Sequence, residues 1–450
     1  MFAEKTEKEK ESLSPRSPRS PRKTSRIPKS RSSVFRFPTL AILAILARDI
    51  PGLLIVASSC LLATSPASAA TSERAREAGV PLDGKPGPLN AITDVAGVEV
   101  GQVTLISGEG ALKRGGGPVR TGVTAIIPRG KNSINPVYAA WATSNPAGEM
   151  TGTTWLEERG FFDGPIMITN THSVGVVRDA VVGWIVDHKI PGSWYTPVVA
   201  ETYDGYLNDT DGFHVKTEHA LQALAKASSG PVEEGAVGGG TGMVCFGFKG
   251  GIGTSSRVIT TPIGTYTVGV LVQCNFGLMP TLRVAGVQVG EALKDRYTTC
   301  TTLPPSAIPT IKPCGPDPKG EKPGDGSMIV VIATDAPLLP NQLKRIAKRP
   351  AHAMGRMGDY GRETSGDIFI AFSTANGQIT SDQREKMSLE AYPNGLLNPL
   401  FEGTVQAVEE SILNALMAAK TMTGRDGHRV YALPHDEVRA LLKQHAMIAK

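Results

Sequence analysis

One serine lies at an abrupt change in the character of the chain. The run from Lys312 to Gly326 is rich in proline and glycine, and Ser327 follows it at the head of the apolar run Met328–Ala333. A cut before Ser327 would free its α-amino group, whose pKa of about 7.7–8.0 suits a general base at neutral pH. One residue would then hold a hydroxyl nucleophile and the base that it needs. On composition alone two interpretations stay open, an autocleavage site between Gly326 and Ser327 or the ordinary start of a strand.

Other patterns that often carry chemistry are incomplete. The glycine-rich stretches Gly238–Gly242 and Lys249–Thr254 lack the closing Gly-Lys-Ser/Thr of a phosphate loop, and the residues that follow Thr254 have an extended pattern. We predict instead that they pack closely against backbone or form a turn near an active site. The chain contains no G-x-S-x-G, H-E-x-x-H or C-x-x-C pattern, and its eight histidines form no spaced cluster. No metal site and no cofactor are predicted.

The positive charge of the chain is concentrated at its N-terminus. Lysine and arginine number 47 against 42 acidic residues, a net charge of +5, and the excess lies in a Ser/Pro-rich head over residues 1–36. The remainder is close to neutral and shows no basic face, which argues against a nucleic-acid partner.

An apolar segment follows this head. It runs over 37–63, is interrupted by two charged residues, and is followed by Ala67-Ser68-Ala69. A basic head, a short apolar core and an A-x-A site are typical of a secretory signal peptide, and neither half of the segment is long enough to span a bilayer. We predict a head plus signal peptide over 1–69, cleaved near Ala69, a periplasmic or secreted protein, and no stable membrane span after signal removal. The alternative is an N-terminal membrane anchor.

Four cysteines remain beyond the signal peptide, at positions 245, 274, 300 and 314. In an oxidising compartment Cys300 and Cys314 could close a small disulfide loop before Ser327. The alternative is that both are free or unrelated thiols.

The elements that must position Ser327 are predicted to form one domain from Pro81 to Lys450. Short apolar runs with β-branched residues, ending at Gly, Asn or Asp, predict strands at 95–105, 123–128, 165–169, 257–261, 266–272, 327–334 and 367–373. Amphipathic patterns predict helices at 174–187, 215–228, 341–354, 404–421 and 436–447. Helices and strands do not alternate strictly, so we expect helical layers over mixed sheet rather than a doubly wound parallel sheet.

Several long segments between Pro86 and Ala432 resemble one known family. They are Leu89–Val98, Val119–Ala125, Glu201–Gly205, Phe248–Arg257, Tyr266–Gly277, Ser327–Leu339 and Ser365–Asp367. In this order they are similar to the DmpA/BapA family of self-processing aminopeptidases, peptidase family S58, which includes L-aminopeptidase/D-esterases and β-peptidyl aminopeptidases. The resemblance implies an α/β (α+β) fold, a four-layer αββα sandwich of the DmpA/ornithine-acetyltransferase-like type. It also implies a cut into an α chain, 70–326, and a β chain, 327–450.

The resemblance also assigns residues around the cut. Ser327 matches the family's nucleophile, so Gly326–Ser327 becomes the expected autocleavage site. Ser365 and Asp367 match a serine–glycine–acid element that can hydrogen-bond the α-amine and favour its charged form. Relatives often carry Glu at this last position, so Asp367 is one methylene shorter. The segment 298–326 is longer than the linker of relatives, and we expect it to be a flexible linker.

Three further residues follow from the resemblance. Asn275 matches the amide of the oxyanion hole, whose donor typically contributes a few kcal/mol to transition-state stabilisation. Tyr203 matches an aromatic active-site residue whose hydroxyl can help to hold the tetrahedral intermediate. Glu201 is a candidate partner of the substrate's amino terminus, although it could equally accept hydrogen bonds from nearby backbone.

The expected protein is thus an autoproteolytic serine aminopeptidase that needs no metal or cofactor. Ser327 would release N-terminal residues from short peptides, amides and esters through an acyl-enzyme, including D- or β-amino acids by resemblance. Family members assemble as oligomers of αβ units, so a homo-oligomer is expected. Two alternatives are an acyltransferase of the same fold and an inactive, uncleaved periplasmic binding protein.

Overall fold

The structure is a computed structural model. It describes residues 73–133, 135–304, 314, 326–380 and 384–447. The predicted head and signal peptide, 1–69, lie outside the described residues. So does most of the predicted linker, of which the structure describes 298–304, 314 and 326.

Fifteen strands and eight α-helices form the described part of the chain. The strands are β1 (Glu99–Ser107), β2 (Val119–Ile127), β3 (Val137–Pro146), β4 (Phe161–Phe162), β5 (Ile166–Asn170), β6 (Val198–Thr202), β7 (Val244–Cys245), β8 (Phe248–Lys249), β9 (Gly251–Thr261), β10 (Gly264–Phe276), β11 (Cys300–Thr301), β12 (Gly326–Thr334), β13 (Gly366–Ser373), β14 (Met422–Thr423) and β15 (His428–Val430). The helices are α1 (Thr153–Arg159), α2 (Val174–Asp187), α3 (Thr217–Lys226), α4 (Val289–Tyr297), α5 (Pro340–Ala347), α6 (Pro350–Arg356), α7 (Asn398–Ala418) and α8 (His435–Gln444).

Two large sheets lie face to face between helical layers. The first has the order β1-β2-β5-β6 and the second the order β4-β3-β13-β12-β10-β9. One apolar core fills the space between the sheets, a second joins the first sheet to α2 and α3, and a third joins the second sheet to α4–α8. These four layers confirm the predicted αββα sandwich.

Strand β12 shows why its sequence is an unbroken apolar run. Side chains alternate between the two faces of a strand. Met328, Val330 and Ile332 pack in the core beneath the helices, whereas Ile329 and Val331 pack in the core between the sheets. Because both faces are buried, every side chain from Met328 to Ala333 is packed away from water.

Several predicted boundaries change in the structure. The single helix predicted at 341–354 is wrong, since α5 ends at Ala347 and α6 begins at Pro350. Proline has no backbone N–H, so it starts a helix far more readily than it continues one. Strands β3 and β6 lie outside the predicted strands, and β9 and β10 extend beyond their predicted bounds.

The glycine-rich stretches pack closely, as predicted. A Cβ built on Gly239 would lie 2.3 Å from Gln273 Oε1, and one built on Gly240 would lie 2.5 Å from the Ile252 nitrogen. A longer side chain would therefore push the segment away from the second sheet.

Two disulfides join the four described cysteines. Cys300 pairs with Cys314, which confirms the predicted loop, and their Cα atoms are 5.0 Å apart. Cys245 pairs with Cys274, a bond that sequence spacing did not indicate, with Cα atoms 5.5 Å apart. This second bond ties β7 to β10. Within the described residues, no helix is long and apolar enough to cross a membrane.

Candidate active site

The predicted catalytic residues meet at one end of the six-stranded sheet. Ser327, near the start of β12, pairs with Asn275 near the end of β10 and with Gly366 at the start of β13. Asp367 then pairs with Asn145 near the end of β3. Strands β10 and β3 run antiparallel to the two strands between them, so two strand ends and two strand starts converge here.

The bond expected to be cut lies in this corner in a constrained conformation. Gly326 has a φ of +92°, in the left-handed region, where a residue with a Cβ is disfavoured. A Cβ at this position would also lie 2.0 Å from the Asn275 carbonyl oxygen. The Ser327 hydroxyl is 2.7 Å from the Gly326 carbonyl oxygen, to which it donates. The expected nucleophile therefore lies beside the carbonyl group that it would attack, and only 5% of Ser327 is exposed.

Ser365 and Asp367 form a buried hydrogen-bonded pair beside this bond. The Ser365 hydroxyl donates to Asp367 Oδ1 at 2.7 Å. Asp367 Oδ2 is buried and has no hydrogen-bond partner within the described part of the chain. Burial raises the pKa of Asp367 to about 7, a shift that the Ser365 hydrogen bond reduces and the charge of Asp359 increases. The unpaired oxygen of Asp367 can accept a hydrogen bond from a new donor, which the described part of the uncut chain does not supply.

The Asn275 side chain has a defined orientation. Its Oδ1 accepts a hydrogen bond from the Val244 N–H at 2.7 Å, and its Nδ2 donates to the Tyr203 carbonyl oxygen at 3.0 Å. These two partners fix which end of the amide is the donor. An amide nitrogen carries two hydrogens, and this bond uses one of them. Asn275 thus fits the chemistry of an oxyanion donor.

Tyr203 joins the site through its backbone. Its carbonyl accepts from Asn275, whereas its half-exposed ring lies over Gly205, where an ideal Cβ would be 2.1 Å from the Tyr203 hydroxyl. Burial of the hydroxyl raises the pKa of Tyr203. The structure therefore shows this residue orienting the amide, a contribution that the resemblance did not indicate.

Glu201 lies on β6 of the facing four-stranded sheet and is already hydrogen-bonded. Its Oε1 accepts from the Glu149 N–H at 2.9 Å, and its Oε2 accepts from the Thr171 hydroxyl. A Cβ built on Gly148 would come within 3.0 Å of Glu201 Oε1 and 3.2 Å of the Gly366 Cα. Glu201 is thus close to the strand that pairs with Ser327. Burial raises the pKa of Glu201, an effect that its hydrogen bonds from Thr171 and Glu149 reduce.

Two supporting residues carried no signal in the sequence. Asn145 Nδ2 donates to the carbonyl oxygens of Arg362, Glu363 and Ser365, and so holds the turn that precedes β13. Thr171 holds Glu201. Their partners are far away in the chain, and no local pattern could have identified them. In the parts of the chain that the structure describes, no group of three or more His, Cys, Asp or Glu side chains could hold a metal ion.

Known proteins resemble this chain over most of its length. Residues 90–430 match the sequence profile of peptidase family S58. A β-peptidyl aminopeptidase BapA from Sphingosinicella microcystinivorans is 63% identical over 383 residues, covering 85% of this chain and 95% of the relative. Another from Sphingosinicella xenopeptidilytica is 44% identical over 397 residues, covering 87% and 96%.

Solved structures resemble the fold as well. The L-aminopeptidase D-Ala-esterase/amidase from Ochrobactrum anthropi, described as a prototype for the serine aminopeptidases and a variant of the Ntn hydrolase fold, superposes with a TM-score of 0.75. It is 44% identical, over 84% of this chain and 100% of that chain. A β-aminopeptidase from a Burkholderia species gives a TM-score of 0.72 at 42% identity, over 82% and 98%.

Proposed function

The chain belongs to peptidase family S58 and is an aminopeptidase with an N-terminal nucleophile, and we propose that Ser327 is this nucleophile. The observation that carries the proposal is the Gly326–Ser327 bond, where the Ser327 hydroxyl lies 2.7 Å from the Gly326 carbonyl oxygen in the left-handed turn at Gly326. A hydroxyl next to a constrained peptide group is placed to attack it, which would transfer the Gly326 acyl group to Ser327 Oγ. Hydrolysis of that ester then leaves Ser327 with a free α-amine.

Self-cleavage divides the domain into an α chain, 70–326, and a β chain, 327–450. Position 326 requires a glycine for two reasons. Its φ of +92° disfavours a residue with a Cβ, and the nearby Asn275 carbonyl oxygen leaves no room for one. Ser327 itself begins a strand that is buried on both faces, so the new N-terminus stays in place after the cut.

The new α-amine supplies the donor that the uncut site lacks. Asp367 Oδ2 has no partner among the described residues, and a protonated amine beside it would satisfy that oxygen. In acylation Ser327 Oγ attacks the substrate carbonyl, the neutral α-amine takes the hydroxyl proton, and Asp367 stabilises the resulting ammonium. The ammonium then returns the proton to the departing amine or alcohol, and water hydrolyses the acyl-enzyme by the reverse transfers.

We assign to Asn275 the stabilisation of the negative charge that develops on the carbonyl oxygen of the substrate. Its Nδ2 is held by the Tyr203 carbonyl at 3.0 Å, and its Oδ1 is held by the Val244 N–H at 2.7 Å. A donor fixed before the reaction needs no reorganisation when the charge appears, and such donors contribute about 2.7–4 kcal/mol.

The substrate class follows from the family and from Glu201. We assign short peptides, amides and esters with a free amino terminus, and Glu201 as the carboxylate that binds this terminus. The named activity of the Sphingosinicella relatives supports N-terminal β-amino acids, and that of the Ochrobactrum enzyme supports D-alanine derivatives.

The mature protein is proposed to be exported and to form a homo-oligomer of αβ units. The two disulfides, Cys245–Cys274 and Cys300–Cys314, support an oxidising compartment. N-terminal sequencing of the exported protein and its mass in solution test these two statements.

Intact-mass analysis of the purified protein tests the nucleophile. We expect two chains, the C-terminal one beginning at Ser327, and in Ser327→Ala a single inactive chain. Ser373→Ala is the matched control, because Ser373 is a buried serine at the far end of the neighbouring strand, bonded to the Ala336 carbonyl. It should cleave normally. A Ser327→Ala protein that cleaves and hydrolyses like wild type would refute the assignment.

Substrate panels test the role of Glu201. Peptides with N-terminal β-, D- and L-residues are compared with their N-acetylated forms, which we expect to be inert. Glu201→Gln should raise KM for the free-amine substrates, whereas exposed Glu233→Gln should not. Hydrolysis of acetylated and free peptides at equal rates would contradict this part of the proposal.

A further inference from the structure

Lys249 is a fully buried lysine with an unusual set of partners. Its side chain has no exposed surface, and no carboxylate forms an ion pair with it in the described part of the chain. Burial lowers its pKa to about 7. A lysine taken out of water without an acidic partner is costly, so it calls for an explanation beyond packing.

The partners of Lys249 are backbone carbonyl groups. Nζ donates to the Met243 oxygen at 2.6 Å and to the Gly250 oxygen at 2.8 Å, with a longer contact of 3.5 Å to the Gly240 oxygen. The shortest of these bonds is to Met243, the residue immediately before β7.

The Met243 carbonyl belongs to the same peptide group as the Val244 N–H. This N–H is the donor that holds Asn275 Oδ1 at 2.7 Å. Lys249 therefore contacts one end of a peptide plane whose other end orients the proposed oxyanion amide. A side-chain N–H donor on the carbonyl helps to fix the plane, and hydrogen bonds in such a chain polarise one another, which makes the Val244 N–H a better donor.

We propose that Lys249 is a positioning residue for the oxyanion hole, acting on Asn275 through the Met243–Val244 peptide group. The inference rests on the proposed role of Asn275. It extends that role to a residue outside the predicted catalytic set, within a glycine-rich stretch that fits no phosphate loop.

Lys249 is not needed to hold the strands themselves together. Strand β7 is tied to β10 by the Cys245–Cys274 disulfide. It is also paired with β8 through Val244 opposite Lys249 and Cys245 opposite Phe248. The backbone path is therefore held by other bonds. The Met243 carbonyl also accepts from the Gly250 N–H at 3.0 Å, so Lys249 adds a second, shorter hydrogen bond to a peptide plane that is already partly oriented.

A double-mutant cycle tests this inference, with kcat expressed per cleaved chain counted by intact mass. Lys249→Met keeps an unbranched side chain and removes the donor, and it should lower kcat about 10-fold or more with little change in KM. Asn275→Ala should lower kcat about 100- to 1,000-fold. In the Asn275→Ala background the Lys249→Met change should have almost no further effect, because the two act through one path.

The outcomes separate this inference from the proposed function. Equal losses from Lys249→Met in both backgrounds, or no loss in either, would overturn the positioning role while leaving Ser327 and Asn275 in place. Wild-type kcat in Asn275→Ala would instead overturn the oxyanion assignment, and the inference with it. Exposed Lys226→Met serves as the control for loss of a lysine.

A second variant distinguishes the loss of a hydrogen-bond donor from a failure to fold. Lys249→Gln keeps one side-chain donor, and we expect it to recover part of kcat relative to Lys249→Met. If thermal unfolding shows that neither variant folds, the lysine serves the fold and the inference is wrong.

Discussion

Two regions of the molecule hold a buried carboxylate in opposite ways. In the first, the Glu410 network, Glu410 on α7 has no exposed surface. Its oxygens accept from Arg76 Nε at 2.9 Å, Asn90 Nδ2 at 2.6 Å and Arg257 Nη2 at 2.7 Å. Arg257 is itself only 1% exposed, so two buried opposite charges pair directly and both oxygens of Glu410 have partners. Within the described residues, only the Nε of Arg257 has no hydrogen-bond partner in this pair.

The second region is the Ser327 corner, which we define as Asn275, Gly326, Ser327, Ser365 and Asp367. Here Asp367 accepts a single hydrogen bond from Ser365, and its other oxygen has no partner among the described residues. Its pKa is raised to about 7, chiefly by burial. The adjoining Gly326 has a left-handed φ of +92°.

The difference separates polar groups that serve the fold from those that serve chemistry. A buried carboxylate whose two oxygens both have partners, as in Glu410, stabilises one arrangement of its elements. A buried carboxyl with an unpaired oxygen, such as Asp367, costs stability, and groups with strongly shifted pKa values concentrate at active sites. Changes in the Glu410 network should therefore alter stability, and changes in the Ser327 corner should alter rates.

The largest expected effect is on the stability of the Glu410 network. Glu410→Gln leaves Arg257 buried without an opposite charge, which should lower the free energy of unfolding by about 3–5 kcal/mol. Urea unfolding measures this change. Hydrolysis per folded, cleaved chain should stay at the wild-type level, and a fall in kcat without a fall in stability would contradict the comparison.

The next largest effect is on the rate in the Ser327 corner. Asp367→Asn keeps the shape and the acceptor for Ser365 but removes the charge that stabilises the ammonium. We expect kcat per cleaved chain to fall about 100-fold, equivalent to about 2.7 kcal/mol. Steady-state kinetics measures this fall. A loss of stability as large as that of Glu410→Gln, with kcat unchanged, would place Asp367 with the structural group.

Asp367→Asn should also change how the free energy of unfolding depends on pH. In the uncut folded chain Asp367 keeps a proton up to about pH 7, whereas the unfolded chain releases it near pH 3.9. The stability from this raised pKa is fully present below the unfolded pKa and is lost as pH rises through the folded pKa. In the uncut Ser327→Ala background, adding Asp367→Asn should therefore reduce the loss of stability between about pH 4 and pH 7 in urea unfolding.

Two glycine substitutions test whether self-cleavage depends on the geometry of the Ser327 corner or on general stability. Gly326→Ala places a Cβ 2.0 Å from the Asn275 carbonyl oxygen, a rigid backbone atom, and should slow self-cleavage at least about 10-fold, or about 1.4 kcal/mol. Gly84→Ala is the matched change in the Glu410 network, since Gly84 also has a positive φ and a Cβ there would meet the Arg257 and Gln406 side chains. It should lower stability and leave cleavage unchanged.

Intact mass followed over time after synthesis gives the cleavage rates of both variants. Equal slowing in Gly84→Ala and Gly326→Ala would mean that cleavage reports general stability rather than the geometry of the corner.

Local pattern was enough to predict the elements on which the corner is built. The strand predicted from Ser327 corresponds to β12, and the helix predicted at Val174–Asp187 has these bounds in the structure. A strand buried on both faces must be apolar throughout, and a packed helix must repeat its apolar side chains, so both leave local signals. Strand β3, rich in alanine and poor in β-branched residues, leaves neither signal.

The assembly of the corner could not be read from local pattern. Asn275, Ser327 and Asp367 meet through strand register, which depends on pairings between distant segments. In the sequence, only family resemblance connects them. Residues such as Asn145 and Lys249 act on backbone carbonyls, and because every residue has a carbonyl, no sequence motif marks the partner.

The smallest expected effect is a shift of the pH profile. The charge of Asp359 raises the pKa of Asp367, so Asp359→Asn should lower that pKa. The proposed mechanism needs ionised Asp367 and a neutral α-amine, and removing the negative charge of Asp359 favours both forms. The acidic limb of kcat/KM should therefore move to lower pH, by a few tenths of a unit. Asp335→Asn is the control, because this acid accepts from the Thr267 N–H near the far end of β12 and should leave the limb in place. The prediction is wrong if the acidic limb does not move in Asp359→Asn, or if it moves equally in both variants. Either result would mean that another group sets the limb, and it would contradict the proposed role of Asp367.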